Sequence, residues 1–451
     1  MNTRTQSQLI TSDVLYVVVG LGETGMSVVD HLVDRGKRVV VFDTRAESPN
    51  RSWLSSHHPE VELFEQHVPD MCFMQPVRWI VSPGVRLDHP MVAKAIAEGA
   101  EILGDLDLFM ESVSAPVIGI TGSNGKSTVT TLVAKILSES GHQVAVGGNL
   151  SPAALTLIDD SVEVYVLEMS SFQLERAGNL GLDVASVLNI SADHLDRHGS
   201  MAAYHAAKHR IFRKAKRVVL NDDDVLTQPL IDSSVKVTRY STKAHRDADY
   251  KLLDEAIWWG DQRIIGTRDI GLEGRHNHVN AMAACAIAAA FGATLPAMAS
   301  VLSAFYGLEH RCERVPAPGS VTYINDSKAT NVGATQAAIE GLGLSGPLIL
   351  LLGGQAKGQE FGGLRPAVNQ YVKYLITFGE AAHELAQVGF SCPVDQVETL
   401  EQAFALAQSR ATSGDRVVLS PACASLDQFQ DYRQRGNRFK QLVMSDAGGA
   451  R

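Results

Sequence analysis

Residues 116–128 read PVIGITGSNGKST, an apolar run joined to a glycine-rich turn and then to two hydroxyl residues after a lysine. The run PVIGI predicts a buried strand, and the residues from 126 onward predict a helix. Backbone amides at the start of such a helix, together with a lysine, suit a triphosphate, and a hydroxyl following the lysine suits magnesium. Gly122, Asn124, Gly125, Lys126, Ser127 and Thr128 are therefore the candidate nucleotide residues. The pattern departs from GxxxxGK[ST] at its first position, where Ile120 stands in place of glycine.

Toward the N-terminus, VLYVVV (14–19) is another buried-strand run. It leads into GLGETG, a helical segment through about residue 35, and the strand RVVVF ending at Asp43. This is a βαβ opening. Gly20, Gly22 and Gly25 match GxGxxG, whose glycines let a backbone approach a pyrophosphate, though they equally suit a tight strand–helix turn. An SPG turn at 82–84 follows the strand WIV, and the restart with a second phosphate-loop pattern places a new domain near 105–115. Toward the C-terminus, VYVLE, VASVLNI and RVVLN continue the middle domain. Antiparallel strands are expected near 237–268, and an alanine-rich helix near 280–292 closes that domain. VTYINDS (321–327) opens a third unit, where PLILLLGG, YLITF and RVVLS alternate with helical segments. The expected fold is α/β in three domains. These are a Rossmann-like domain over 1–108, a central P-loop ATPase-like domain with a parallel sheet over 109–311, and a smaller Rossmann-like domain over 312–451.

A chain of 451 residues with 45% apolar content can fill two or three cores. Its formal net charge of -10 gives no support for general nucleic-acid binding. Lys208, Arg210, Arg213, Lys214, Lys216 and Arg217 form a local basic run that reads as a solvated helix end. Cys72, Cys285, Cys312, Cys392 and Cys423 are scattered without a CxxC pair, which points to a reducing compartment rather than a zinc ribbon or disulfide scaffold. The N-terminus lacks the apolar core of a signal peptide, and AMAACAIAAAFGATL is too short for a membrane span. A cytoplasmic protein without membrane insertion is expected.

Polar groups collect at the ends of the apolar runs. Glu168 closes VYVLE, and Asn149 follows a Gly-Gly turn. Asp193, His194, Asp196 and His198 precede a helix that places Tyr204 and Lys208 on one face. His205 and His209 lie one turn apart there, which raises zinc as a minor alternative, while magnesium prefers oxygen donors. A lysine cation is a poor neighbour for a metal, so Lys208 is either a solvated residue or chemically altered. In NDSKATN, helix capping accounts for one of Asp326, Ser327, Lys328, Thr330 and Asn331 but not for the set. Lys357 in GGQAKG and Ser425 in SPACASLDQF complete a group suited to an anionic amino acid. ATP is better supported than a nicotinamide, because no hydride-accepting site is evident.

The ordered set TGSNGKST, LEMSSFQLE, DHLDRH with YHAAKHRIF, HNHVNAMAA, EHR, NDSKATN, LLGGQAKG and SPACASLDQF resembles the Mur ligase family over nearly the whole chain, most closely its D-glutamate-adding members. The resemblance implies UDP-sugar binding by 1–108, ATP binding by 109–311 and amino-acid binding by 312–451. It implies a UDP site near Thr24, Thr44, Arg45 and Gly84, with Asn149, Ser170 and His194 toward the sugar–peptide substrate. It implies Lys126 on the γ-phosphate, a magnesium ion on Ser127 and Glu168, and a second magnesium among Glu168, His194 and Lys208. Asn277, Arg311, Asp326 and Lys328 match residues around ATP, and Thr330, Lys357, Ser425, Leu426 and Tyr432 match the D-glutamate pocket. Glu23, Gln355, Ala356 and Tyr432 depart from the family's usual residues.

The implied reaction adds D-glutamate to UDP-N-acetylmuramoyl-L-alanine through an acyl phosphate, in a bacterial, monomeric enzyme of peptidoglycan precursor synthesis. Lys126, Glu168, His194 and Lys208 are the implied catalytic set, with Lys208 carrying a CO2-derived carbamate. The alternatives are another Mur or folylpolyglutamate-type ligase, and a UDP-sugar sensor without catalysis.

Overall fold

The computed structural model describes residues 14–447 apart from 75, 231, 233, 244–246, 273 and 345. The first apolar runs form β1 (Leu15–Val19), β2 (Arg38–Asp43), β3 (Glu62–Glu65), β4 (Val77–Val81) and β5 (Glu101–Leu103). They pair in parallel in the order β3-β2-β1-β4-β5, so β1 is central and all five of its residues are buried. The chain reverses its winding between β1 and β4, the place in such sheets where ligands collect. The loop after β1 meets the 82–84 turn there, with Ser82 Oγ donating to Gly20 O at 3.0 Å. Two glycines of that loop are required by the backbone itself. Gly20 has φ +88°, and a Cβ on Gly25 would lie 1.9 Å from Gly20 O, whereas nothing lies within 4 Å of one on Gly22.

The central sheet contains β6 (Val117–Thr121), β7 (Val144–Gly148), β8 (Val164–Glu168), β9 (Val184–Val187) and β10 (Arg217–Asn221). It continues into β11 (Lys236–Ser241), β12 (Tyr250–Leu253), β13 (Ala256–Trp259) and β14 (Gln262–Gly266). Its order is β14-β13-β12-β11-β10-β9-β6-β8-β7. Antiparallel pairing was expected from about residue 237, but β11 runs parallel to both β10 and β12, and only the hairpins at β12–β13–β14 are antiparallel. The helices Lys126–Glu139 and Arg275–Ala289 pack in the apolar cluster on one face of this sheet. Gly119 marks close packing on β6, since a Cβ there would sit 2.5 Å from Leu182 Cδ1.

The third sheet contains β15 (Glu313–Val315), β16 (Thr322–Asn325), β17 (Leu348–Gly353), β18 (Val372–Phe378), β19 (Val394–Gln396) and β20 (Arg416–Leu419). Its order is β15-β16-β20-β17-β18-β19, with β15 antiparallel to β16 and the rest parallel.

The helix Asp105–Ser112 runs across residue 108, and its Leu106, Leu108 and Phe109 join a core shared by the first two sheets. Arg197 ties the same two units by donating to Pro83 O, Gly84 O and Val85 O at 3.2, 3.3 and 2.8 Å. Among the described residues, no helix is long and apolar enough to cross a membrane.

Gly25→Ala should lower stability by about 1–3 kcal/mol, the usual cost of forcing atoms into a filled space. Gly22→Ala should change it by no more than about 0.5 kcal/mol, as at open surface sites. Urea unfolding of the two variants measures the contrast.

Candidate active site

The glycine-rich loop after β6 delivers Lys126 to the first turn of a helix, as its sequence implied. Gly125 takes φ +81°, and a Cβ there would fall 2.4 Å from Asn280 Oδ1, so both conformation and space demand glycine. The loop is held from beneath by a small polar network. Asn124 N donates to Asn189 Oδ1 at 2.8 Å, and Asn189 Nδ2 returns a bond to Asn124 O at 3.0 Å. Ser123 Oγ lies 3.0 Å from Tyr204 Oη and accepts from Ser191 N at 3.0 Å. Lys126 Nζ donates to Gly122 O and Ser123 O at 2.9 and 3.0 Å.

Glu168 sits at the end of β8 with 2% exposure, and the chain then turns at once into a helix. A capping box makes that turn, with Gln173 N donating to Ser170 Oγ at 3.2 Å and Ser170 N donating to Gln173 Oε1 at 3.0 Å. The Glu168 carboxylate accepts from Ser127 Oγ and, at 2.6 Å, from Asn149 Nδ2. Burial alone would push its carboxyl up, but the Lys126 and Arg311 charges and the two hydrogen bonds outweigh this and hold it below the usual range. Arg311 Nη2 donates to Ser127 Oγ, joining the segment before the third sheet to the glycine loop.

Lys208 is not on the solvated end of a basic run; it is 1% exposed. The helix Met201–His209 turns its Tyr204 and Lys208 face inward, beneath the glycine loop. Lys208 Nζ donates to Gly122 O at 2.8 Å and lies 4.6 Å from the Tyr204 ring centroid. Burial first, and the nearby Lys126 charge second, drive its amine well below the usual lysine value. The remaining cations of that run divide: Arg213, Lys214, Lys216 and Arg217 are exposed, whereas Arg210 is half-buried. His205 and His209 stack at 3.8 Å, and a ring nitrogen of His209 meets Leu226 O at 2.7 Å. Among the described residues, no three His, Cys, Asp or Glu side chains come together to hold a metal.

A cavity of about 280 Å³ spans the central and third domains. The nucleotide candidates Asn124, Gly125, Lys126, Thr128, Asn277, Arg311, Asp326 and Lys328 line it, as do Asn149, Glu168, His194 and Thr330. His194 takes φ +53° and places its ring 4.9 Å from that of Phe172, which also stacks with His198 and supports Arg197 at 4.7 Å. Burial is the main cause that lowers the His194 value, with the Lys126, Lys357 and Lys208 charges acting in the same direction. Asn331 works twice: its Oδ1 accepts from Ala334 N at 2.8 Å as a helix cap, and its Nδ2 donates to Asp193 Oδ2 at 3.1 Å across the domain boundary.

In the third domain, Lys328 Nζ lies 3.9 Å from the Tyr432 ring centroid, and burial followed by the Arg311 charge pulls its amine down to about 7. Ser425 is buried, while Leu426 and Lys357 are exposed. Arg435 carried no signal in the sequence. Its side chain is fully buried and donates to Ser327 Oγ and O, Gly353 O, Cys423 O and Ala424 O at 2.8–3.4 Å. One guanidinium thereby joins the three loops that carry Lys328, Lys357 and Ser425.

Thr24, Thr44, Arg45 and Gly84 do not line this cavity; in the first domain, Thr24 lies in the first turn of the helix Glu23–Asp34 and the other three in loops. Arg45 is engaged at Asp43, with Nε and Nη2 bonds of 2.8 and 2.7 Å, and Asp43 Oδ2 also accepts from Leu21 N at 3.0 Å. Asp43 thus closes its own loop.

Three family models and relatives matching over nearly the whole chain show that it belongs to the Mur ligase family, whose chemistry is ATP-dependent amide-bond formation in peptidoglycan precursor synthesis. The Mur ligase MurD-like N-terminal domain matches residues 15–104, the Mur ligase middle domain 120–288, and the Mur ligase glutamate ligase domain 310–423. Full-length relatives sharpen the comparison. UDP-N-acetylmuramoylalanine--D-glutamate ligase of Pseudomonas syringae pv. tomato is 44% identical over 444 residues, covering 96% of this chain and 99% of the relative. The enzyme of the same name from Psychrobacter arcticus is 42% identical over 463 residues, covering 98% and 97%. Solved structures share the fold at low identity. The UDP-N-acetylmuramate-alanine ligase of Thermotoga maritima superposes with TM-score 0.61 at 18% identity, over 96% of this chain and 99% of that one. The MurF ligase of Thermotoga maritima gives 0.62 at 16%, over 96% and 95%.

Asp326 offers a test of the site's electrostatics. Burial pushes its carboxyl up to about 6, against hydrogen bonds from Ser420 Oγ at 2.7 Å and Cys312 N at 3.1 Å. An acid raised on folding holds its proton more tightly in the folded state. Its stabilising contribution is therefore present at low pH and lost as pH rises from 3.8 to about 6. Asp326→Asn should gain stability relative to the parent chain over that window, by at most about 3 kcal/mol from a shift of about two units. Urea unfolding on either side of the window measures it.

Proposed function

We propose that this chain joins D-glutamate to the L-alanine carboxyl of UDP-N-acetylmuramoyl-L-alanine, releasing ADP and phosphate. Full-length identity of 44% to ligases bearing that name carries the reading. The cavity that unites the glycine loop, Glu168 and the NDSKATN segment supports it. The working division is 1–108 for the UDP substrate, 109–311 for ATP and 312–451 for the amino acid.

The acceptor carboxylate attacks the ATP γ-phosphate to give an acyl phosphate and ADP. Lys126, with Asn277, Arg311 and Lys328 around the nucleotide, offsets charge as phosphoryl transfer proceeds. The neutral amine of D-glutamate then attacks the acyl carbon, the C–O bond to phosphate breaks, the nitrogen releases one proton to solvent or the departing phosphate, and an amide remains. Thr330, Lys357, Ser425, Leu426 and Tyr432 form the amino-acid pocket, with Arg435 holding its loops in place. Asn149, Ser170 and His194 face the sugar–peptide substrate, and Thr24, Thr44, Arg45 and Gly84 face its UDP. The Ser127 hydroxyl and Glu168 carboxylate are the hard oxygen donors that magnesium prefers, and a second ion would rest on Glu168, His194 and a modified Lys208. Magnesium supplies neutralisation of the phosphate charge. Every residue in this scheme comes from one chain, so a monomer suffices.

Lys208 is the least ordinary assignment. A buried amine driven toward neutrality is a competent nucleophile for CO2, and its carbamate, formed with loss of a proton, replaces a cation with an oxygen-bearing anion.

Incubating the protein with ATP, magnesium, UDP-N-acetylmuramoyl-L-alanine and a panel of amino acids should give ADP release and an amide product dependent on D-glutamate. Product with a different amino acid would move the reading to another Mur ligase, and tight binding without product to a UDP-sugar sensor. Lys126→Ala should lower the rate about 10²–10³-fold, the usual cost of one charge-stabilising contact.

Lys208→Ala should likewise be inactive and recover part of its activity in acetate. With ¹³CO2, the native protein should show a carbamate carbon signal that the variant lacks. Full activity with no such signal would refute the modification.

A further inference from the structure

Ser127 Oγ commits its hydrogen and one of its two lone pairs to protein groups. It donates its one hydrogen to Glu168 Oε2 and accepts a hydrogen bond from Arg311 Nη2. Asn149 Nδ2 occupies the other carboxylate oxygen at 2.6 Å. A divalent ion on Ser127 and Glu168 would sit about 2 Å from the hydroxyl oxygen that the Arg311 guanidinium already contacts, so two positive charges would crowd onto one oxygen. The protein also supplies few ligands of its own, since no three acidic, histidine or cysteine side chains converge among the described residues. Magnesium bound so sparsely takes the rest of its shell from phosphate oxygens and water. Arg311, for its part, presents a planar fork that matches phosphate.

We propose that Arg311 and the divalent cation exclude one another on Ser127, so that metal loads only when Arg311 transfers from Ser127 to a nucleotide phosphate. Arg311 is then a positioning residue as well as a nucleotide contact, and it makes the metal enter together with the triphosphate. Its place in the chain lets the exchange reach the domain boundary. Arg311 N bonds Leu308 O at 3.2 Å, and the next residue, Cys312, donates its N–H to Asp326 Oδ1 at 3.1 Å. Asp326 in turn accepts from Ser420 Oγ, on the loop that follows β20. The exchange at Ser127 therefore takes place one residue from a hydrogen bond that crosses between the central and third domains. Linkage makes the effect reciprocal: a phosphate that takes Arg311 raises metal affinity, and metal on Ser127 raises phosphate affinity for Arg311.

This inference rests on the reading of Ser127 and Glu168 as metal oxygens, and it is tested without acceptor or amino acid, so the D-glutamate assignment stands or falls separately. The probe is Mn²⁺, titrated onto the full chain in the absence of nucleotide and followed by loss of the free-ion electron paramagnetic resonance signal. Arg311→Met should bind Mn²⁺ about tenfold or more tightly than the parent chain, within the usual range of coupling between two ligands. Arg311→Lys, which keeps the charge, should gain less, and adding Glu168→Gln to Arg311→Met should remove the gain. Equal affinity in the parent and Arg311→Met, or a gain that survives Glu168→Gln, overturns the proposal. Circular dichroism confirms that each variant is folded, and Arg311→Gln replaces Arg311→Met with the same expectation if the latter fails to fold.

Discussion

The site is organised around one buried anion. Glu168 lies at the end of β8 with Ser127 and Asn149 donating to its two oxygens and the charges of Lys126 and Arg311 close by. A carboxylate so enclosed is tolerable only with such partners, because an uncompensated buried charge costs several kcal/mol. The four partners come from three segments: Lys126 and Ser127 from the helix after the glycine loop, Asn149 from the turn after β7, and Arg311 from the junction before the third sheet. Holding one charge therefore fixes three backbones relative to each other. That convergence carries the site from a single loop to a chamber between domains.

The cations arranged around Glu168 differ in availability. Lys126 is folded onto Gly122 O and Ser123 O, Lys208 lies beneath the same loop on Gly122 O, and Lys328 rests over the Tyr432 ring. All three amines are held below their usual values, with burial the largest cause in each. Lys126 and Lys328 line the cavity while Lys208 lies beneath it, and a cavity with two such amines favours a polyanion, since phosphate supplies the negative charge that the protein provides only in part. Crowding of the amines also explains why Lys208 is out of place as an ordinary cation: next to Lys126 and away from water, its charged form is the unfavourable one.

Much of this was legible in the chain because the signals are local. Apolar runs bounded by turns gave the strands, and the loop after β6 gave a candidate phosphate site, with a positive φ at Gly125 that only glycine meets without strain. The shared face of Tyr204 and Lys208 was also readable, being one helical turn apart. Its direction was not. Arg210, Arg213, Lys214, Lys216 and Arg217 around it suggested solvent, and only packing of the helix against the loop turns that face inward. Arg435 was invisible for a related reason. It sits in a polar helix, and its five hydrogen bonds go to residues 327, 353, 423 and 424, which are adjacent only in space.

The sequence by itself determined the three α/β units, the candidate nucleotide loop and the membership of Glu168, Lys208, Asp326 and Lys328 in one family pattern. These depend on periodicity and on residue types at fixed spacing, which a chain carries before it folds. The tertiary structure decided which charges face each other: Arg311 on Ser127, Asn331 on Asp193, Arg197 on the 83–85 carbonyls, and Arg45 turned back on Asp43. Such contacts join segments tens to hundreds of residues apart, or select one of several rotamers. Burial and desolvation, which no local pattern encodes, set their charge states.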